Sequence, residues 1–232
     1  MIAHRGYSAK YPENTLKSIR AALDSNCAQG IEIDLHLTAD GQVILQHDQD
    51  LDRMTVGGTG NVIDRTWHGY IDSLCTKEEI TSGNEQCEPV ALLSQVLECL
   101  PEGFTVVLDV KDDQPLEVLD KISEILSAYH QNLEIYLGVW REDFAHHARK
   151  LFHESSAVMI TLIAEVCTTN NLKSPLYDAF NLDVTQIQPE IVQEAALLKK
   201  PILLWTCNSA GDIAKAKFLD IQGILTDDPF LV

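Results

Sequence analysis

His4-Arg5-Gly6, Pro12-Glu13-Asn14-Thr15, Glu32-Ile33-Asp34, Asp40-Gly41 and His47-Asp48 follow one another in the first quarter of the chain. Residues 30–35, Gly-Ile-Glu-Ile-Asp-Leu, set how the rest is read. Successive side chains on a strand take opposite faces, so Glu32 and Asp34 share one face while Ile31, Ile33 and Leu35 share the other. Ile2-Ala3 is the stub of an earlier strand ending in His4, and Val43-Ile44-Leu45 leads up to His47. Asp40-Gly41 supplies the turn between the second and third runs. Too few residues separate those two for a crossover helix, so an irregular corner is expected there.

Outward from this corner, strands alternate with helices. Residues 12–26 predict a helix, with Asn14 as N-cap and Leu16, Ile19 and Leu23 at helical spacing. The stretch 49–90 is weakly patterned, with glycines at 57, 58 and 60 and a short helix over 67–74. A helix over 91–100 and a buried strand over 105–111 follow, then a helix carrying Leu119, Ile122, Leu126 and Tyr129. Strands at 135–140 and 157–164 flank a helix at 142–152, and a short strand lies at 181–184. Pro189 opens a helix at its favoured first-turn position, with Ile191, Ala195 and Leu198 on one face. Residues 201–206 form a strand, 209–219 a helix with a Ser/Asp capping-box start, and 223–226 the last strand.

Such alternation implies parallel strands joined by right-handed crossovers. The expected fold is α/β, an irregular TIM (β/α)8 barrel, with residues 1–232 as one domain, close to the ~250 residues typical of that fold. Nine candidate strands stand against a ring of eight; the surplus one is expected in the 30–48 corner or near 181.

The net charge of −18 and the lack of any basic cluster exclude nucleic acid as a partner. The same charge opposes general adsorption to an anionic membrane, so peripheral membrane contact would need an apolar loop, at 56–62 or 174–180. No apolar run approaches the ~20 residues that span a bilayer, and no signal peptide precedes His4. The expected location is cytoplasmic, with no partner protein implied. Six cysteines (27, 75, 87, 99, 167 and 207) include no Cys-x-x-Cys pair, and free thiols in a reducing compartment are expected.

In a parallel barrel, functional groups gather at the carboxyl ends of the strands. His4, Glu32 with Asp34, His47, Asp109 with Lys111, and Trp205 all fall there. Two carboxylates held close in an apolar barrel resist ionisation unless a cation sits between them. With Asp109 on a third side, Glu32 and Asp34 make a site for one divalent cation, Mg²⁺ or Ca²⁺. His4 and His47 flank it as candidates for proton transfer near neutral pH. Arg5 and Lys111 are candidates for binding phosphate oxygens, and Trp205 is a core aromatic or a substrate wall. His36, His68, His130, His146, His147 and His153 lack such company and read as surface residues.

These segments resemble the glycerophosphodiester phosphodiesterases, an irregular TIM-barrel family related to phosphatidylinositol-specific phospholipase C. The resemblance also takes in Leu51-Asp52-Arg53, Asp109-Val110-Lys111, Trp205-Thr206-Cys207-Asn208 and residues 223–229, and so covers nearly the whole chain. Residues 9–16, 204–208 and 221–229 are similar to the fungal phosphatidylglycerol phospholipases C. The resemblance implies a metal-dependent hydrolase that releases sn-glycerol 3-phosphate and an alcohol from a small-molecule or lipid phosphodiester. It implies Glu32, Asp34 and Asp109 as metal ligands, His4 and His47 as the acid/base pair, and Arg5 and Lys111 as phosphate contacts. Asp109 stands where the family commonly has glutamate, and the hydrophobic tail of the fungal enzymes is not seen. The rivals are a catalytically dead barrel that binds a headgroup and a metal-dependent amidohydrolase; the latter would want more histidine ligands.

Overall fold

In the computed structural model, which describes residues 1–77, 88–129, 132–153, 158–165 and 167–231, the chain begins with β1 (Ile2–His4), α1 (Leu16–Asp24), β2 (Gly30–Leu37) and β3 (Val43–Leu45). Three short strands follow, β4 (Thr55–Val56), β5 (Cys75–Thr76) and β6 (Glu88–Pro89), and then α2 (Leu93–Leu97). From there the alternation is regular: β7 (Thr105–Val110), α3 (Glu117–Ala128), β8 (Glu134–Val139), α4 (Glu142–Leu151), β9 (Ile160–Ala164) and α5 (Thr169–Lys173). The last elements are β10 (Ala179–Asp183), α6 (Pro189–Leu197), β11 (Ile202–Trp205), α7 (Ala210–Phe218) and β12 (Gly223–Thr226).

β1 pairs in parallel with β2 on one side and β12 on the other, which closes a ring of eight parallel strands: β1, β2 and β7 to β12. This is the TIM barrel expected. The surplus strand is β3, which lies outside the ring, antiparallel to β2; the strand near 181 is β10 and belongs to the ring. β4, β5 and β6 form a small antiparallel sheet. The helix expected over 67–74 is a single 3₁₀ turn at Ile71–Ser73. Its Ile71 packs with Ile44, Leu51, Val62 and Val90 in a cluster of its own.

The interior of the ring has two layers, and the period of two along each strand builds both. Ile2, Val107, Ile163, Ala179, Leu203 and Leu225 form an apolar plug. Two residues further along the same strands stand His4, Asp109, Glu165, Asn181 and Trp205. The ring thus seals itself below and presents polar groups at its carboxyl end.

α1 is capped by Thr15 rather than Asn14: the Thr15 hydroxyl accepts from Ser18 N, and the Ser18 hydroxyl closes the box on Thr15 N. Asn14 has φ +58° and turns its side chain to the site instead. Pro189 stands in the first turn of α6, and Ser209 with Asp212 caps α7 reciprocally, both as the sequence predicts.

Further expectations fail, on the cysteines and on the histidines. Cys75 is disulfide-bonded, against the free-thiol reading; Cys27, Cys99, Cys167 and Cys207 are free, and Cys87 lies outside the described residues. His36 is buried, not exposed: Nδ1 bonds the Gln46 carbonyl at 2.8 Å and Nε2 lies 3.5 Å from Asp113 Oδ1. Half-buried His147 pairs with Asp120 at 2.9 Å, while His68, His146 and His153 are exposed and His130 lies outside the described residues. Of the two candidate membrane loops, Tyr177 and Phe180 in 174–180 and Val62 in 56–62 are buried, while Val56 is exposed. No helix among the described residues is long and apolar enough to cross a membrane.

Candidate active site

The register of the ring sets the acidic cluster. His4 is level with Glu32 across β1 and β2, and Asp34 is level with Asp109 across β2 and β7. Glu32, Asp34 and Asp109, all buried, each offer an oxygen within 4.8 Å of the others. A pocket of about 370 Å³ opens above them, lined also by His4, Arg5, His47, Lys111 and Trp205. All eight sequence-predicted site residues meet in this one pocket.

The turn after β1 makes this possible. Arg5 (φ +56°) and Gly6 (φ +81°) reverse the chain at once. A Cβ on Gly6 would sit 2.5 Å from Ser18 Oγ and 2.7–2.8 Å from the backbone of Ser18 and Ile19, so the approach to α1 requires glycine. The Arg5 amide donates to the Glu32 carboxylate (3.0 Å), and its Nε lies 3.0 Å from Asp34 Oδ2 without hydrogen-bond alignment. Lys111 Nζ reaches Asp34 Oδ1 and Asp109 Oδ2, each at 2.5 Å.

Both histidines are anchored in the same way. His4 Nδ1 donates to Asp227 Oδ1 (2.6 Å), and His47 Nδ1 to Asp48 Oδ1 (2.8 Å). A carboxylate at Nδ1 fixes that proton and leaves Nε2 for chemistry. Asp48 is gripped by Arg53, whose other end meets Glu13 (2.8 Å); Glu13 in turn meets Arg5 (3.0 Å). One chain of ion pairs therefore runs from His47 to Arg5 and on through Asp34 to Lys111.

The electrostatics separate neighbours. Burial and the adjacent Asp34 push the Glu32 carboxyl up to about 7. Burial opposes ionisation of Asp34 too, but Lys111 and Arg5 outweigh it and hold that carboxyl well below its usual range. Burial disfavours the charged form of His4, yet Glu32 and the Asp227 bond outweigh it and raise its pKa. Burial, with Asp109 adding to it, raises Glu165 well above the carboxylate norm. The donor set fits a hard divalent cation: three buried carboxylates converge, each offering an oxygen within 4.8 Å of the others.

Several lining or supporting residues escaped the sequence reading. Asn14 Nδ2 donates to Asp34 Oδ2 (2.7 Å), and its Oδ1 accepts from the Asp34 amide (3.1 Å). Trp140 Nε1 donates to Asp109 Oδ1 (2.8 Å). Asn181 Nδ2 donates to Glu165 Oε2 (2.8 Å). Asp227, Trp140 and Glu165 each follow a ring strand directly, so the strand-end rule that found His47 could have found them.

A sequence profile of the glycerophosphoryl diester phosphodiesterase family matches residues 4–231. The chain belongs to that family. It is a phosphoric diester hydrolase of the glycerophosphodiester phosphodiesterase kind. A glycerophosphodiester phosphodiesterase of Bacillus altitudinis is 28% identical over 242 residues, covering 99% of this chain and 94% of that one. Bovine glycerophosphodiester phosphodiesterase 1 is 40% identical over 111 residues, 47% of this chain and 33% of that protein. An Oleispira antarctica phosphodiesterase, solved in complex with its product sn-glycerol-3-phosphate, superposes with a TM-score of 0.84 over 98% of this chain and 92% of that one. At 23% identity that likeness speaks for the fold.

Proposed function

We propose that this phosphodiesterase cuts its diester with His4 and His47 as the acid/base pair, Arg5 and Lys111 on the phosphate oxygens, and Glu32, Asp34 and Asp109 holding one Mg²⁺ or Ca²⁺. One observation carries the reading: two carboxylate-anchored imidazoles face the same acidic pocket, each with Nε2 left to exchange a proton. A divalent cation in the triad would offset phosphate charge and acidify a nearby hydroxyl. The protein's own groups do the rest. One imidazole takes the proton of the attacking glycerol hydroxyl while the other protonates the departing alcohol oxygen. A P–O bond forms to the hydroxyl oxygen as the bond to the alcohol breaks, and water then opens the cyclic phosphate to sn-glycerol 3-phosphate. Rapid-quench detection of the cyclic phosphate supports this order; its absence at every time point favours direct attack by water.

The favoured substrate is a soluble glycerophosphodiester. Cleavage of phosphatidylglycerol to diacylglycerol, which the fungal resemblance implies, needs an apolar membrane face, and in the two candidate loops Val56 is exposed whereas Val62, Tyr177 and Phe180 are buried. The disulfide at Cys75 weighs toward an oxidising compartment rather than the cytoplasm. The deciding experiment measures glycerol 3-phosphate released from glycerophosphocholine and from phosphatidylglycerol vesicles, with and without chelator. Release from neither, with metal supplied, would leave only the headgroup-binding barrel.

A further inference from the structure

The catalytic pocket occupies the carboxyl end of the strands, and the opposite end of the barrel carries an apolar surface of its own. Among the described residues seven large apolar side chains are exposed, and four of them lie at that opposite end. Met159 immediately precedes β9, Leu197 and Leu198 end α6, and Phe218 ends α7. Leu197 is 84% exposed and Phe218 86%. Neither helix uses them for packing: α6 buries Ala195 against the ring, and α7 buries Ile213 and Ala216. A groove of about 660 Å³ runs between the two helix ends, walled by Ala195, Pro201 and Ile202. Single exposed apolar residues are ordinary, but several gathered at one end of a fold mark an interaction surface.

Charge is sorted along the same axis. The first turns of α3, α4, α6 and α7, at the catalytic end, carry Glu117, Asp120, Glu142, Asp143, Glu190 and Asp212. The last turns of α4, α5 and α7 carry Arg149, Lys150, Lys173 and Lys217, and Lys199 and Lys200 follow α6. Each sign suits its end of the helix dipole. Arg149 is paired with Asp178 and Lys173 with Glu194, whereas Lys150, Lys199 and Lys217 have no ion pair with a described residue. Asp220 is the one carboxylate that lines the groove. These lysines are dispersed along the sequence, and only the barrel brings them to one end. A chain of net charge −18 thus presents one face that is both basic and apolar.

We propose that this end of the barrel docks on an anionic phospholipid surface, with Leu197, Leu198 and Phe218 entering the interface and Lys150, Lys199 and Lys217 meeting lipid phosphates. Apolar side chains at the boundary and cations beside them add their contributions, the first by burial and the second by attraction to the charged leaflet. A second copy of the chain fits this face less well. A two-fold interface sets the same patch against itself and would bring lysine against lysine. A layer of acidic headgroups places an opposite charge at every one of them. The catalytic pocket then faces water at the far end of the barrel. Docking of this kind holds the enzyme at a membrane without feeding lipid to the pocket, in keeping with a soluble diester as substrate.

The test is co-sedimentation of the full chain, with Mg²⁺ supplied, on vesicles of phosphatidylcholine alone and of phosphatidylcholine mixed with phosphatidylserine. Binding to the mixed vesicles should be at least about tenfold tighter than to phosphatidylcholine alone. It should weaken by at least about tenfold between about 0.05 M and about 0.5 M salt, as exposed charges are screened. The double variants Leu197→Ser with Phe218→Ser, and Lys199→Glu with Lys217→Glu, should each weaken it by at least about tenfold. All four positions are exposed and distant from the pocket, so turnover of glycerophosphocholine should stay within about twofold of wild type. No binding to the mixed vesicles, equal binding to both kinds, or binding that survives both double variants overturns the proposal. A wild-type dimer in sedimentation velocity that Leu197→Ser with Phe218→Ser dissolves, without vesicle binding, would give the face to a second copy instead. Vesicle binding needs no turnover, so failure to hydrolyse any diester would count against the phosphodiesterase reading alone.

Discussion

At the scale of single residues the site is a set of charges that fix one another, and its variants should fall into two groups. His4→Ala and His47→Ala each remove one imidazole of the proposed acid/base pair and should lower kcat by ~10²–10⁴-fold while the circular dichroism spectrum and unfolding midpoint stay near wild type. Turnover within a few-fold of normal in either variant, on soluble diesters with metal supplied, would remove it from the acid/base pair. Asp227→Asn belongs to the second group. It keeps the hydrogen bond to His4 Nδ1 but withdraws the charge that helps raise the His4 pKa. Its pH–rate profile should shift the His4 limb downward in pH, a change that a merely structural Asp227 would not produce. At this scale the sequence was legible where two polar groups alternate on a strand or end one, as with Glu32, Asp34, His4 and His47. It was misleading where a residue had two uses. Asn14 has the composition of a helix cap, but its left-handed backbone points its amide at Asp34, and Thr15 caps the helix instead. His36 looks like any polar strand residue, yet it lies in the interior, with Nδ1 bonded to the Gln46 carbonyl and Nε2 3.5 Å from Asp113 without a hydrogen bond.

At the scale of elements, the β1–α1 turn carries the greatest constraint. Gly6 occupies φ +81° with the α1 backbone against its missing side chain. Gly6→Ala should therefore cost more than the ~1 kcal/mol of an ordinary glycine replacement, because strain and a backbone clash add together. Urea unfolding measures this, and a loss within ~0.5 kcal/mol of wild type would mean that the turn gives way freely. Gly138 offers a companion case. A Cβ there would lie 2.3 Å from Glu165 Oε1, so Gly138→Ala should displace that carboxyl while the strand persists. Most elements were legible because a parallel ring buries both faces and forces continuous apolar runs separated by capped helices. The nine-for-eight ambiguity was not resolvable from pattern. β3, three apolar residues, and β10, five residues that include Asn181 and Asp183, are both short, and the long-range closure of β1 on β12 decides which of them the ring admits.

At the scale of the whole molecule, the buried acids link stability to pH and to metal. Glu32 keeps its proton up to about 7 in the folded state, whereas an unfolded glutamate loses it near 4.5. Between those values the folded chain binds more protons than the unfolded one, so the metal-free protein should lose stability as pH rises through that window, by up to about 1.4 kcal/mol per pH unit for one proton. Asp34 acts in the opposite sense: its depressed pKa stabilises the fold above the unfolded value and is lost only in more acidic solution, below the window. Mg²⁺ or Ca²⁺ requires the ionised triad and so competes with that proton. The rise in Tm on adding saturating Mg²⁺ or Ca²⁺ should be larger at pH 8 than at pH 5.5, and chelator should abolish it at both. Glu32→Gln, which cannot ionise, should lose most of the metal-dependent rise and the Glu32 share of the pH slope together. Calorimetric scans at the two pH values read both quantities in one experiment. A metal effect of equal size at both, or one that survives in Glu32→Gln, would place the cation somewhere other than the floor formed by Glu32, Asp34 and Asp109.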